Sequence, residues 1–68
     1  MNFQHRKRLI LQMVEERGSA DVPELADLLQ TSTMTVRRDL IQLAASGLLY
    51  RTRGGAMTIR LAMDTQQF

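Results

Sequence analysis

Two short amphipathic segments, separated by three residues, constrain the fold of this chain more than any other feature. Apolar side chains recur at helical spacing over about residues 22–29 and again over about 33–46. Ser32 is a good N-cap for the second segment, and Gly47 is placed to end it. The sequence therefore predicts two short helices joined by a tight turn.

The second of these predicted helices has two contrasting faces at a rotation of about 100° per residue. The apolar face, predicted to point into the core, comprises Val36, Leu40, Leu43 and Gly47. The opposite face combines arginine with apolar side chains and comprises Met34, Arg38, Ile41 and Ala45. Thr35 and Arg37 lie on the two flanks. One side of this helix is therefore predicted to present a basic surface to a partner.

Another helix is predicted before this pair, followed by a short strand. A periodic apolar run covers 3–17 and stops at Gly18, and glycine is the usual residue just after the end of a helix. Ser19–Asp21 is long enough to add one edge strand to a sheet. Asp21 and Glu24 then have the spacing of a capping box for the helix that follows.

A β-hairpin is predicted after the helices. Its strands would be residues 48–52 and 56–60, with Arg53-Gly54-Gly55 as a tight turn between them. In a two-residue hairpin turn the glycines would supply positive φ angles. The predicted fold class is therefore mainly α with a small β-hairpin, a winged helix-turn-helix of three helices plus a wing.

The length of 68 residues and the absence of cysteine limit what such a fold can do. A chain this short buries one modest core, and no disulfide can reinforce it. It carries no paired carboxylates or activated nucleophile at catalytic spacing, so an enzyme is not predicted, nor is a metal or cofactor. We find no apolar run near the ~20 residues of a membrane span and no signal peptide, so a cytoplasmic protein without membrane contact is expected.

The distribution of charge says more than the net charge of +2. Between residues 18 and 32 every charged side chain is an acid. Residues 33–60 instead carry five arginines against the single acid Asp39. Folding would therefore give the molecule one cationic face, which attracts a polyanion such as nucleic acid by releasing its counterions. On composition alone, ordinary solvated charge explains the same counts.

A helix-turn-helix places its second helix in the major groove of DNA, where residues of its first turns reach base edges. Arginine can make two hydrogen bonds to guanine, and threonine can contact a thymine methyl or a phosphate. The first-turn N–H groups and Ser32 favour a phosphate, and the wing arginines would lie beside the DNA backbone or enter the minor groove. The predicted DNA-binding residues are Ser32, Thr33, Met34, Thr35, Arg37, Arg38, Arg51, Arg53, Gly54 and Gly55. The alternative is a winged-helix module that binds protein without DNA.

Asp39 is the acid that interrupts this basic helix. We expect it to be a partner within the fold rather than a DNA contact, pairing with Arg37, Arg38 or a wing arginine. An exposed pair of that kind is worth less than ~1 kcal/mol.

Two runs of the sequence resemble a known family. Residues 32–40 (STMTVRRDL) and 47–56 (GLLYRTRGGA) closely match the signature of the DeoR-type bacterial transcription regulators. Arg6, Ile10 and residues 24–26 also stand where that pattern has them. The resemblance thus covers about residues 6–56, and its motifs are specific.

The resemblance implies a winged helix-turn-helix over residues 1–60, with 61–68 as a tail or the start of a linker to a C-terminal sensor domain. Regulators of this type usually repress operons for the use of sugars or sugar derivatives. They release double-stranded DNA when a phosphorylated sugar binds the sensor domain. A homo-oligomer formed through that further domain is also implied.

The sequence departs from the family pattern at two positions. Gln30 stands where the family often has glycine, which costs about 1 kcal/mol if the residue is left-handed. Arg53 replaces the usual histidine before the two glycines, which should strengthen a phosphate contact and remove any dependence on pH there. Neither departure is expected to disturb the fold.

Overall fold

The computed structural model describes residues 1–65 of the chain. Its elements, in chain order, are α1 (Phe3–Arg17), β1 (Ser19–Asp21), α2 (Val22–Leu29), α3 (Thr33–Ala45), β2 (Tyr50–Arg51), β3 (Gly55–Met57) and α4 (Ile59–Thr65). The predicted fold class is confirmed, because the domain is mainly helical with a small antiparallel sheet. A fourth short helix is added to the three that the sequence predicts.

Helix α1 begins and ends where its sequence predicts. The Asn2 side chain caps its start by accepting a hydrogen bond from the backbone N–H of His5 at 3.0 Å. Gly18 ends it with a φ of 85°, and its N–H donates to the carbonyl oxygen of Val14 at 2.7 Å. Ile10 and Val14 are buried on the inner face, so α1 covers one side of the core.

Helix α2 also has its predicted bounds, but its start is not held by a capping box. Pro23 stands in the first turn, where a missing N–H is harmless. The Asp21 side chain makes no cap hydrogen bond. Glu24 pairs instead with Arg17 at the end of α1. This exposed ion pair therefore replaces the reciprocal bonds that the spacing of Asp21 and Glu24 suggests.

The three strands form an antiparallel sheet in the order β1-β3-β2. Ala56 in the middle strand lies opposite Ala20 on one side and Arg51 on the other. The edge strand predicted at Ser19–Asp21 is confirmed. Through this sheet the segment before α2 is joined to the wing near the end of the domain.

The glycine pair of the wing does not have the predicted conformation. In residues 1–65, the glycines with positive φ are Gly18 and Gly47, so Gly54 and Gly55 do not supply a left-handed turn. Gly55 is needed for a different reason. A Cβ there would overlap the carbonyl oxygen of Ala20 and lie 2.6 Å from the Cα of Asp21. Close approach of two backbones, rather than φ, therefore requires glycine at this position.

The returning strand is shorter than predicted, because β3 ends at Met57. The Thr58 hydroxyl accepts a hydrogen bond from the N–H of Leu61 at 3.1 Å, which begins α4. Ile59 and Arg60, predicted to be strand, are therefore helical. The helix continues to Thr65, where the sequence predicts no regular structure. Residues 66–68 of the predicted tail lie outside the described part of the chain.

The core lies between the helices and the sheet, and it contains the inward side chains that the sequence predicts for α2 and α3. Its buried residues are Ile10, Val14, Ala20, Val22, Leu25, Ala26, Leu29, Val36, Leu40, Leu43, Leu49 and Ala56. Gly47 is an exception, since it is exposed and has a φ of 76° after the end of α3. Its predicted place on the core face was wrong because the helix ends before it, at Ala45.

Candidate nucleic-acid interface

The turn between α2 and α3 is closed by backbone hydrogen bonds around a left-handed residue. Gln30 has φ 54° and ψ 50°, which is the left-handed conformation. The strain predicted for a non-glycine residue in that conformation is therefore present. The N–H of Thr31 donates to the carbonyl oxygen of Ala26 at 3.0 Å. This bond and the one from Gln30 to Asp27 satisfy two of the last four carbonyl groups of α2. The turn is therefore short, well bonded and able to set the angle between the two helices.

The first turn of α3 is fixed by Ser32. Its Oγ accepts a hydrogen bond from the N–H of Thr35 and donates one to the Thr35 hydroxyl, both at 3.0 Å. Thr33 and Met34 are left exposed, and 67% of the Met34 surface is accessible. The predicted N-cap is confirmed, and the start of α3 offers unobstructed side chains and backbone N–H groups to a partner.

The two faces of α3 separate as the sequence predicts. Val36 is fully buried, and Leu40 and Leu43 are nearly so. Arg37 and Arg38 are exposed on the other side. The apolar seam thus holds the helix against the core while both guanidinium groups remain in solvent.

Asp39 differs from the prediction in both its partner and its burial. Asp39 is only 3% exposed, and its carboxylate pairs with Arg6 of α1, not with Arg37, Arg38 or the wing. The Nε of Arg6 donates to one carboxylate oxygen at 2.6 Å, and its Nη2 donates to the other at 3.2 Å. These bonds raise the pKa of the Arg6 guanidinium above its ordinary value, and the partial loss of water has a smaller opposite effect.

The wing brings two further arginines to the edge of α3. Arg51 and Arg53 are exposed, and together with Arg37 they line one cleft beside Gly55. The wing is held in place by a hydrogen bond from the N–H of Val22 to the carbonyl oxygen of Gly54 at 2.8 Å. No acid is among the described residues that line this cleft. Three positive charges therefore converge on one concave surface.

Three of the remaining predicted residues lie around two other depressions. Thr35 and Arg38 line a polar cleft between α1 and α3, together with Phe3, Arg6, Thr31, Asp39 and Gln42. Ser32 lines a shallow surface with Thr31 and Gln30. Gln42 was not predicted to lie here, although it stands one helical turn after Arg38 and that spacing could have found it. Arg6 matches the family pattern, but its pairing with Asp39 was not predicted, because nothing local links two residues 33 positions apart.

The described residues contain no group of three or more His, Cys, Asp or Glu side chains placed to hold a metal ion. None of the helices found between residues 1 and 65 is long and apolar enough to cross a membrane.

A match to a known protein family identifies the domain that carries these residues. The model of the DeoR-like helix-turn-helix domain matches residues 6–61, which is most of the chain. The chain belongs to this family. The family resemblance is confirmed, and the DeoR-like domain is the DNA-binding part of a transcription regulator rather than an enzyme.

Curated relatives of this DeoR-like domain are transcription regulators by name. The L-fucose operon activator of Haemophilus influenzae is 52% identical over 58 residues, which are 85% of this chain and 22% of that protein. The HTH-type transcriptional repressor CsqR of Escherichia coli is 49% identical over 47 residues, 69% of this chain and 18% of that protein. The lactose phosphotransferase system repressor of Lactococcus lactis is 46% identical over 59 residues, 87% of this chain and 23% of that protein.

The DeoR-like domain thus spans about a fifth of the length of these relatives. No solved structure matches the chain.

Proposed function

We propose that this DeoR-like domain reads a specific operator through the exposed face of α3, and that its wing holds the DNA backbone. The observation that carries the proposal is the cleft where Arg37, Arg51 and Arg53 converge beside the capped start of α3. A capped helix end with free N–H groups and an adjacent cluster of guanidinium groups is well suited to a phosphate backbone.

Within this interface, the residues of α3 divide between bases and phosphates. Thr33, Met34, Arg37 and Arg38 are exposed near the start of the helix and would reach base edges in the major groove. Ser32 and Thr35 bond to each other, so the backbone N–H groups beside them are the better phosphate donors.

The wing would mainly contact the phosphate backbone of the DNA. Arg51 and Arg53 carry exposed positive charges, and the exposed Gly54 allows the tip to stay narrow beside the duplex. Contacts of this kind hold the domain on any DNA, while base contacts select the sequence. Gly55 is buried against β1 and would support the wing from within rather than touch DNA.

For the whole regulator we propose a repressor of an operon for the use of a sugar or sugar derivative. The names of the lactose phosphotransferase system repressor and of CsqR support repression, whereas the L-fucose operon activator shows that a similar domain also serves activation. A phosphorylated sugar would be the effector of a C-terminal sensor domain joined through the tail that starts near residue 61. That domain would also hold a homo-oligomer together in the cytoplasm.

The proposal is tested by measuring the affinity of this chain for duplex DNA across a series of salt concentrations. We expect log K to fall linearly with log salt, because arginine–phosphate contacts release counterions. A flat plot, or no binding at low salt, would overturn the proposal.

Two arginine variants separate base reading from backbone contact. Arg38→Ala should lower the preference for the operator by about 1–3 kcal/mol, and Arg53→Ala should weaken all sequences equally and reduce the salt slope by about one. Arg60→Ala is the matched control, since Arg60 is exposed on α4 in a groove against α1 and away from the interface. An equal loss of preference from both interface variants would contradict these roles.

A further inference from the structure

A two-point ion pair joins α1 to the middle of α3. Arg6 donates from Nε and Nη2 to the two carboxylate oxygens of Asp39, and from Nη1 to the carbonyl oxygen of Met1 at 3.1 Å. Asp39 is the one buried charged residue of the described chain, and Arg6 is its hydrogen-bond partner. A planar fork of this kind fixes the relative position and rotation of the two groups that it joins.

Apolar contacts also hold α3 on the core. Val36, Leu40 and Leu43 pack against their neighbours without a directional bond. Apolar packing tolerates small rotations and slides of a helix better than a two-point hydrogen-bonded contact does. The Arg6–Asp39 pair therefore specifies the orientation of α3 more sharply than this apolar packing does.

The ion pair lies directly beside residues proposed to meet DNA. Thr35 stands one turn before Asp39 and Arg38 immediately precedes it, and both line the same cleft as Arg6. A rotation of α3 at Asp39 would therefore displace both of these side chains relative to the groove.

We propose that Arg6 is a positioning residue that sets the orientation of α3 and thereby the base preference of the domain. This inference rests on the proposed DNA-reading function. We expect Arg6 to act through Asp39 rather than as a phosphate contact, because three of its five N–H groups donate to acceptors of the protein and its side chain is only 17% exposed. Its charge is also compensated by the buried carboxylate, so it adds little to counterion release.

The test replaces both members of the pair, Arg6→Met together with Asp39→Leu. Removing Arg6 alone would leave a buried carboxylate without a partner, whereas apolar replacement of both partners of a buried pair is often neutral or stabilising. Arg6→Lys is the second variant, because it keeps the charge and the fold but lacks the planar fork. The matched control is Arg17→Met with Glu24→Leu, which removes the exposed ion pair between α1 and α2.

The probe is a duplex enriched from a random pool by the unmodified chain, compared with a scrambled duplex of the same composition. We expect the ratio of the two Kd values to fall about tenfold in the double variant and nearly as far in Arg6→Lys. The salt slope and the thermal midpoint should change little, and the control should keep the ratio of the unmodified chain. A role in stability alone would not move this ratio once each variant is shown to be folded.

An unchanged ratio in folded Arg6→Lys or in the folded double variant would overturn the inference. A salt slope shallower by about one, with the ratio kept, would also overturn it, by showing that Arg6 binds phosphate. If the unmodified chain enriches no sequence, the proposed function itself fails, and that result is distinct from both of these.

Discussion

The turn between α2 and α3 and the turn of the wing both change the direction of the chain, but the first contains no glycine and the second contains two. The left-handed residue of the first turn is Gln30, at φ 54°. The wing has two glycines, and neither has positive φ. Gly55 is required there because its Cα lies against the backbone of Ala20 and Asp21. Backbone strain therefore determines which residues suit the turn between α2 and α3, and the space beside β1 determines which suit the wing. Substitutions at the two turns should therefore have different effects on stability.

The wing side of this comparison is tested by Gly55→Ala, for which we expect the largest effect. The added methyl group meets backbone atoms of β1, which cannot move without breaking the strand pairing. A loss of more than ~4 kcal/mol in the free energy of unfolding follows, at the upper end of what single substitutions cause. Urea denaturation measures it.

The neighbouring glycine provides the control. An added Cβ at Gly54 would meet nothing within 4 Å, so Gly54→Ala should change the free energy of unfolding by less than ~0.5 kcal/mol. Similar losses from the two substitutions would mean that the wing depends on glycine flexibility rather than on space.

The contribution of the N-cap of α3 to stability is tested by Ser32→Ala. This change removes the bond to the N–H of Thr35 and should lower the free energy of unfolding by about 1 kcal/mol. Asp21→Ala is the matched substitution at the start of α2, where the side chain makes no cap hydrogen bond, and it should have little effect. Thermal denaturation compares the two, and equal losses would argue against a special role for Ser32.

The turn between α2 and α3 is tested by Gln30→Gly. We expect this change to have the smallest effect on stability and to increase it. Glycine relieves the left-handed strain but gains more freedom in the unfolded chain, so the net stabilisation should be about 0.5 kcal/mol. A lower thermal midpoint in Gln30→Gly would contradict this. It would show that the Gln30 side chain stabilises the fold by more than its backbone strain destabilises it.

Local patterns in the sequence were enough to predict α1, α2 and α3. Their apolar spacing, Ser32 and Gly18 all act within a few residues of the structure they specify. The basic face of α3 follows from the same periodicity, which is why the exposure of Arg37 and Arg38 was predicted correctly.

Contacts between distant residues were not predicted. The partner of Asp39 is on α1, whereas the four arginines expected as partners, two on α3 and two in the wing, were nearer in sequence or in the expected fold. The reason for Gly55 lies in β1, which the wing sequence does not reveal. Helix α4 was missed because Thr58, its cap, stands in a run that alternates like a strand.

The sheet also determines when this domain can fold during synthesis. Its first strand pairs with β3, so all of α2 and α3 must leave the ribosome before the two can meet. Closing a loop of that length costs chain entropy before the pairing compensates for it. The growing chain therefore exposes the edge at Ala20 until residues near Ala56 emerge. We expect the domain to become resistant to proteases in one late step rather than helix by helix.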